Sequence, residues 1–109
     1  MDFQGKKVLI IGAGKSGIAA ADLLTSKGAD IILYDDKKLD EAEVLKKLSP
    51  DFKGSIISEK LPEEKIGNPD YLVLSPGVPI DSEKVLKYKD KGACVIGEVE
   101  LAYYFTKGK

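Results

Sequence analysis

The sequence predicts an α/β fold, a doubly wound sheet of about five parallel strands with helices on both faces. Three observations favour this fold. Short apolar runs alternate with longer helical stretches, which is typical of right-handed βαβ units. A glycine-rich turn separates the first apolar run from the first helical stretch. The chain has 109 residues, which is enough for one hydrophobic core.

Five short apolar runs bounded by turn residues are the predicted strands. They are residues 7–11, 31–34, 55–57, 71–74 and 94–96. The run at 55–57 is the weakest, and the acidic stretch 59–69 after it is predicted to be irregular. Cys94, the only cysteine, is expected to be a small buried residue of the last strand. No disulfide can form within a chain that has one cysteine.

Two helices are predicted in the first half of the chain. Residues 16–27 have apolar side chains along one broad face, and Gly28 is placed to end that helix. Asp40 is a suitable N-cap for the second helix, and Glu43 completes a capping box. This second helix is expected to run to residue 48 and to make core contacts through Leu45 and Leu48.

Two more helices are predicted in the second half. Ser82 can cap a helix that runs to about residue 90, and Gly92 is placed to end it. The last helix covers residues 98–105. Residues 106–109 are interpreted as the beginning of a linker, so the predicted domain is 1–105.

Composition excludes several classes of function. The sequence has no histidine, so no imidazole is present as a proton shuttle, metal ligand or triad base. A net charge of −1 argues against a nucleic-acid-binding surface. The apolar runs are too short to cross a bilayer, and the first residues lack the apolar core of a signal peptide. The expected location is therefore cytoplasmic, without nucleic-acid or membrane partners.

A G-x-G-x-x-G pattern follows the first predicted strand and opens the first helix. In this context Gly12 permits the tight turn, Gly14 lets a diphosphate approach the backbone, and Gly17 lets the helix pack closely on the strand. The N–H groups of Lys15, Ser16 and Gly17 would then face the anion. The fold is thus predicted to be Rossmann-like. The alternative is that the glycines serve only the turn and its packing.

Acidic residues follow the second strand. Asp35 lies 18 residues after Gly17, close to the offset at which an acidic side chain binds a ribose hydroxyl. With Asp36 beside it and no arginine in the chain, a dinucleotide ligand would be NAD and not NADP. Ordinary turn chemistry is the alternative explanation of this pair. A Walker A loop is excluded, because the glycine it requires five residues before Gly14 is Leu9.

A second turn follows the fourth strand. In a sheet of order 3-2-1-4-5, the loops after strands one and four meet at the point where ligands bind. Pro76 and Gly77 suit the centre of a type II turn, and Pro79 restricts the residue before it. With the hydroxyl of Ser75, this turn is predicted to form one wall of the binding crevice. A rigid connector without a ligand is the alternative.

Four segments carry a resemblance to a known family: Gln4-Gly-Lys-Lys-Val-Leu-Ile-Ile-Gly-Ala-Gly-Lys-Ser-Gly17, Tyr34-Asp35, Leu74-Ser-Pro-Gly-Val-Pro79 and Ile96-Gly-Glu-Val-Glu-Leu101. The chain resembles the N-terminal domain of the Mur ligases, and among them the members that add D-glutamate to UDP-N-acetylmuramoyl-L-alanine. The resemblance implies a domain that binds the UDP part of this substrate. A module that binds NAD is the alternative, although it gives no reason for the second turn.

The resemblance also implies roles for individual residues. Lys15 and Ser16 would bind the diphosphate, Asp35 to Lys37 the nucleoside, and Ser75 to Gly77, including Pro76, the uracil. The full-length enzymes would use ATP and Mg²⁺ in a central domain to activate the substrate carboxylate as an acyl phosphate. The chain is therefore expected to be an inactive fragment, whose partners are its substrate and its own central and C-terminal domains.

Overall fold

A parallel sheet forms the centre of the protein. The computed structural model describes residues 3–52, 54–60, 63–75, 82–98, 100, 101 and 103. Within them the sheet has five strands, all paired in parallel, in the order β3-β2-β1-β4-β5. The strands are β1 Lys7–Ile11, β2 Asp30–Asp35, β3 Ser55–Ser58, β4 Tyr71–Leu74 and β5 Cys94–Gly97. The strand number and the order 3-2-1-4-5 predicted from the sequence are confirmed.

Helices connect consecutive strands. They are α1 Lys15–Ser26, α2 Glu41–Lys47, α3 Glu63–Ile66 and α4 Glu83–Asp90, and residues 98, 100, 101 and 103 are also helical. Gly28 and Gly92 follow α1 and α4 with positive φ angles of 80° and 100°, as the sequence predicts for helix-ending glycines. The Asp40 carboxylate caps α2 by accepting hydrogen bonds from the N–H groups of residues 42 and 43.

Apolar residues cover both faces of the sheet. Because strand side chains alternate between faces, Val8 and Ile10 of β1 pack with Leu24 of α1, in a cluster that also contains residues of α2. Leu9 and Ile11 point to the other face and belong to a second cluster, which includes buried residues of α3 and α4. Helices therefore lie on both faces, as predicted. No described helix has the length and apolar character that crossing a membrane requires.

Three expectations about local structure were wrong. Leu45 is 51% exposed, and Val44 is buried in its place, because Val44 and Leu48 lie four residues apart on the face of α2 that meets the core. Cys94 is exposed at the first position of β5, which is an edge strand of the sheet that the described residues form. The acidic stretch predicted to be irregular contains α3, whose last residue, Ile66, is fully buried.

Candidate functional site

The glycine turn joins β1 to α1 at the carboxyl edge of the sheet. Gly12 has a φ of 110°, and its N–H group donates to the carbonyl of Tyr34, 2.7 Å away. A Cβ atom on Gly12 would lie 2.1 Å from Oγ of Ser75, the residue that follows β4. Both the backbone angle and this contact require glycine. The turns after β1 and β4 are therefore in direct contact at Gly12 and Ser75.

Gly17 lies in the first turn of α1 and is buried. A Cβ atom there would lie 1.8 Å from the carbonyl oxygen of Gly12. Real Cβ atoms do not approach so closely, so no side chain fits between the helix and the turn. The absence of a side chain at Gly17 lets the start of α1 pack directly on the turn that precedes it.

Gly14, by contrast, faces open space. It occupies the N-cap of α1 with φ −75° and ψ −170°, and a Cβ atom there would have no described atom within 4 Å. The N–H group of Ile18 makes the first helical hydrogen bond, to the Gly14 carbonyl at 3.0 Å. The N–H groups of residues 15–17 therefore have no acceptor within the helix. An open space before these amides, at the positive end of the helix dipole, suits an anion.

Asp35 connects the glycine turn to the loop after β2. Its carboxylate accepts hydrogen bonds from the N–H groups of Ala13 and Lys37, each at 2.9 Å. The side chain is half-buried. Because a carboxylate has about four acceptor positions, Asp35 could accept further hydrogen bonds from a ligand. Its structural bonds hold the glycine turn and residue 37 in a fixed relation.

Asp36 points to the opposite face, where it meets α4. The hydroxyl of the fully buried Tyr34 donates to Oδ1 of Asp36 at 2.6 Å. Nζ of Lys84 forms an ion pair with the same oxygen and lies 3.0 Å from the Tyr34 hydroxyl. The hydrogen bonds from Lys84 and then Tyr34 lower the pKa of Asp36, and the bond to Asp36 raises the pKa of Lys84. We call Tyr34, Asp36 and Lys84 the β2–α4 cluster.

A buried carboxylate lies next to Ser75. Glu98, directly after β5, is only 7% exposed, and its Oε1 accepts a hydrogen bond from the Ser75 hydroxyl at 3.0 Å. The same oxygen would lie 3.5 Å from a Cβ atom on Gly17. The Ser75 N–H group also donates to the Ile11 carbonyl, at 3.1 Å. The ends of β1, β4 and β5 and the first turn of α1 are therefore packed together around Glu98 and Ser75.

The predicted site residues fall into five groups. Gly12, Gly14, Gly17, Asp35 and Ser75 lie together at one edge of the sheet, as the contacts above show. Lys15 and Lys37 are exposed at the same edge, and Asp36 belongs to the β2–α4 cluster. The description of Ser16 is limited to its backbone. Pro76 and Gly77 lie outside the described residues, and so does the predicted type II turn.

Sequence reasoning assigned no role to Glu98 or Lys84. Glu98 could have been found as an acidic residue directly after the last strand, at the edge where the other strand ends meet. Lys84 carries no such signal, because a lysine near the start of a helix is ordinary. Only the three-dimensional structure brings it to Asp36.

The fold and the glycine turn define an α/β domain of the Rossmann-like class. Solved structures with this fold include a UDP-N-acetylmuramate-alanine ligase from Thermotoga maritima, with a TM-score of 0.61 and 20% identity, over 91% of this chain and 22% of that one. Another is shikimate dehydrogenase from Aquifex aeolicus, with a TM-score of 0.60 and 21% identity, over 99% of this chain and 50% of that one. At these identities the likeness establishes the fold alone.

Sequence comparison identifies the family. The model of the Mur ligase MurD-like N-terminal domain matches residues 6–97. The chain is 52% identical to the UDP-N-acetylmuramoylalanine–D-glutamate ligase of Lachnoclostridium phytofermentans and 51% identical to that of Lachnospira eligens. Both matches cover 100% of this chain and 24% of the relative. The chain therefore belongs to the MurD-like N-terminal domain family and spans about a quarter of the length of these relatives.

Proposed function

We propose that this chain binds UDP-N-acetylmuramoyl-L-alanine as the N-terminal domain of the ligase that adds D-glutamate during peptidoglycan precursor synthesis in the cytoplasm. The observation that carries the proposal is the open space at Gly14, before the N–H groups of residues 15–17, which have no acceptor within the helix. A diphosphate matches both the charge and the donors of that space. The names of the relatives support UDP-N-acetylmuramoylalanine as the UDP compound that is bound.

The geometry supports a division of the site into three parts. The amides of Lys15, Ser16 and Gly17 bind the diphosphate. The loop 35–37, fixed by the Asp35 carboxylate, receives the nucleoside. The turn 75–77 contacts the uracil. Because the Ser75 hydroxyl already donates its hydrogen to Glu98, in this proposal its oxygen could only accept a hydrogen bond from the uracil.

The chemistry of amide formation belongs, in this proposal, to the whole ligase. There ATP would phosphorylate the substrate carboxylate with the help of Mg²⁺, and the amine of D-glutamate would displace the phosphate. Residues 1–105 act as the substrate-binding domain, and residues 106–109 begin the linker to a central ATPase domain. The isolated chain is expected to bind the UDP-sugar without forming the amide.

Ligand-induced stabilisation tests this proposal. The melting temperature is measured with UDP-N-acetylmuramoyl-L-alanine, UDP, NAD and NADP at millimolar concentrations, so that weak binding is detected. We expect the two UDP compounds to raise the melting temperature and the dinucleotides to leave it unchanged. Stabilisation by NAD alone would contradict the proposal and favour the module that binds NAD.

The variant Gly14→Ala tests the position of the diphosphate. The φ of Gly14 and the open space around it allow alanine without strain. The free energy of unfolding should therefore change by no more than about 0.5 kcal/mol. The added methyl group lies in the space assigned to the diphosphate, and affinity for UDP should fall by about tenfold or more. Gly92→Ala is the control, because the φ of 100° makes alanine unfavourable at a turn remote from the site. It should lower stability and keep the affinity of the parent.

A further inference from the structure

Asp36 and Lys84 join two parts of the chain that are far apart in the sequence. Asp36 lies in the loop after β2, and Lys84 is the second residue of α4, which begins shortly after the proposed uracil-contacting turn. Nζ of Lys84 binds Oδ1 of Asp36 and the hydroxyl of Tyr34 together, and it lies 5.1 Å from the centre of the Tyr34 ring. Lys84 therefore has three interactions with β2 and its loop.

We infer that Lys84 is a positioning residue for the nucleoside part of the proposed site, holding the loop 35–37 in its binding conformation through Asp36. The inference rests on the proposed function. Lys84 makes no contact with the ligand in this assignment. It acts on the backbone of residues 36 and 37, to which the proposal assigns the nucleoside.

The anchor for this contact is rigid. Tyr34 is fully buried, and its hydroxyl also lies 3.3 Å from the carbonyl oxygen of Glu59. On the other side, Val85 and Tyr88 are buried in the same core cluster as Tyr34 and fix α4 against the sheet. Lys84 thus extends from a helix packed on the core to a buried tyrosine. The residue it holds, Asp36, is itself 68% exposed.

Without Lys84 the loop would have fewer restraints. Asp35 is fixed by its own bonds to Ala13 and Lys37, but among the described residues the Asp36 side chain would keep only the Tyr34 hydroxyl. A loop that is ordered before binding loses less conformational entropy when the ligand arrives, and this raises affinity. Lys84 also offsets the negative charge that Asp36 would present to an anionic ligand.

An ordinary surface ion pair is the competing explanation. Exposed ion pairs contribute little to folding, and such a pair would have no effect on binding. The two explanations predict different results for ligands that use different parts of the site. Uridine requires the loop 35–37, whereas inorganic pyrophosphate requires the glycine turn only.

The test compares the affinity of the parent and of Lys84→Met for UDP, uridine and pyrophosphate, by calorimetry or by NMR titration. Lys84→Met should lower the affinity for uridine and for UDP by about three- to tenfold, and it should change the affinity for pyrophosphate by less than about twofold. Lys84→Arg, which keeps the charge and the donors, should bind UDP within about twofold of the parent. Lys89→Met, at an exposed position of the same helix, should match the parent for every ligand.

Each other outcome is decisive. The positioning role would be refuted if Lys84→Met bound uridine with the affinity of the parent. It would also be refuted if the affinity for pyrophosphate fell as much as the affinity for uridine. If the parent bound uridine and UDP, and Lys84→Met bound them with the same affinity, this inference would be refuted and the proposed function would stand. A parent that bound neither would refute both.

Discussion

Two buried tyrosines give a matched test of how hydrogen bonding contributes to this core. Tyr34 and Tyr88 lie in the same apolar cluster and are 0% and 1% exposed. The hydroxyl of Tyr34 donates to Asp36 and lies within hydrogen-bonding distance of Lys84. The hydroxyl of Tyr88 is buried without a hydrogen-bond partner in the part of the chain that the structure describes. Replacing each by phenylalanine removes one oxygen and leaves the ring.

The expected effects have opposite signs. A hydrogen bond to a charged group contributes about 1.5–3 kcal/mol. Asp36 and Lys84 remain paired and partly hydrated after the change, so we expect Tyr34→Phe to lower the free energy of unfolding by about 1–2 kcal/mol. Burying an unbonded hydroxyl costs about 1–3 kcal/mol, so Tyr88→Phe should raise it by about 1 kcal/mol. The cation–π contacts of both rings with lysine are retained.

Urea unfolding followed by circular dichroism measures both changes, and the slopes should equal that of the parent. For a domain of this size, 1 kcal/mol corresponds to roughly 4 °C in melting temperature. The two variants should therefore melt on either side of the parent and differ by about 8–12 °C. A Tyr88→Phe variant that is less stable than the parent, or a Tyr34→Phe variant that equals it, would refute the reasoning.

Two further predictions concern the glycine turn and the β2–α4 cluster. Gly17→Ala should destabilise the fold by about 3 kcal/mol in urea unfolding, because its Cβ atom would lie 1.8 Å from the Gly12 carbonyl oxygen; a loss below about 0.5 kcal/mol would show that α1 shifts freely. The lowered pKa of Asp36 means that its stabilisation is present above the unfolded-state pKa of about 3.9 and is lost as pH falls through the folded-state value. The stability difference between the parent and Asp36→Asn, below about 1 kcal/mol for an exposed pair, should therefore be measurable by urea unfolding at neutral pH and vanish in acid; a pH-independent difference would contradict the assignment.

The positions of the strands and of the three glycines could be predicted because their signals are local. An apolar run of four or five residues is visible in the sequence wherever it packs, and the spacing of Gly12, Gly14 and Gly17 follows from the geometry of one turn. The structure gives these glycines distinct surroundings. Gly12 meets Ser75, Gly17 meets Gly12, and Gly14 meets open space.

The phase of α2 and the burial of Cys94 could not be predicted in the same way. A helix of seven residues gives two turns, too few for its periodicity to decide whether Val44 or Leu45 faces the core. The position of Val44 depends on how α2 lies against the sheet, which is a tertiary property. Cys94 stands in the apolar run Ala93-Cys-Val-Ile96, which predicts burial. Its exposure at the start of the edge strand β5 is visible only in the three-dimensional structure.

The pair Asp35 and Asp36 shows where sequence reasoning about the site reached its limit. Both residues follow β2, and composition alone does not say which one serves the ligand loop. Side chains of a strand alternate between faces, and Tyr34 packs in the cluster that contains residues of α4. Asp36, two residues later, therefore points to α4 and Lys84, and Asp35 points to α1 and the glycine turn. The alternation was present in the sequence, but its consequence depended on knowing which helix covers which face. That same alternation makes Asp35 a bridge between the glycine turn and the loop after β2, and Asp36 a connection between the sheet and α4.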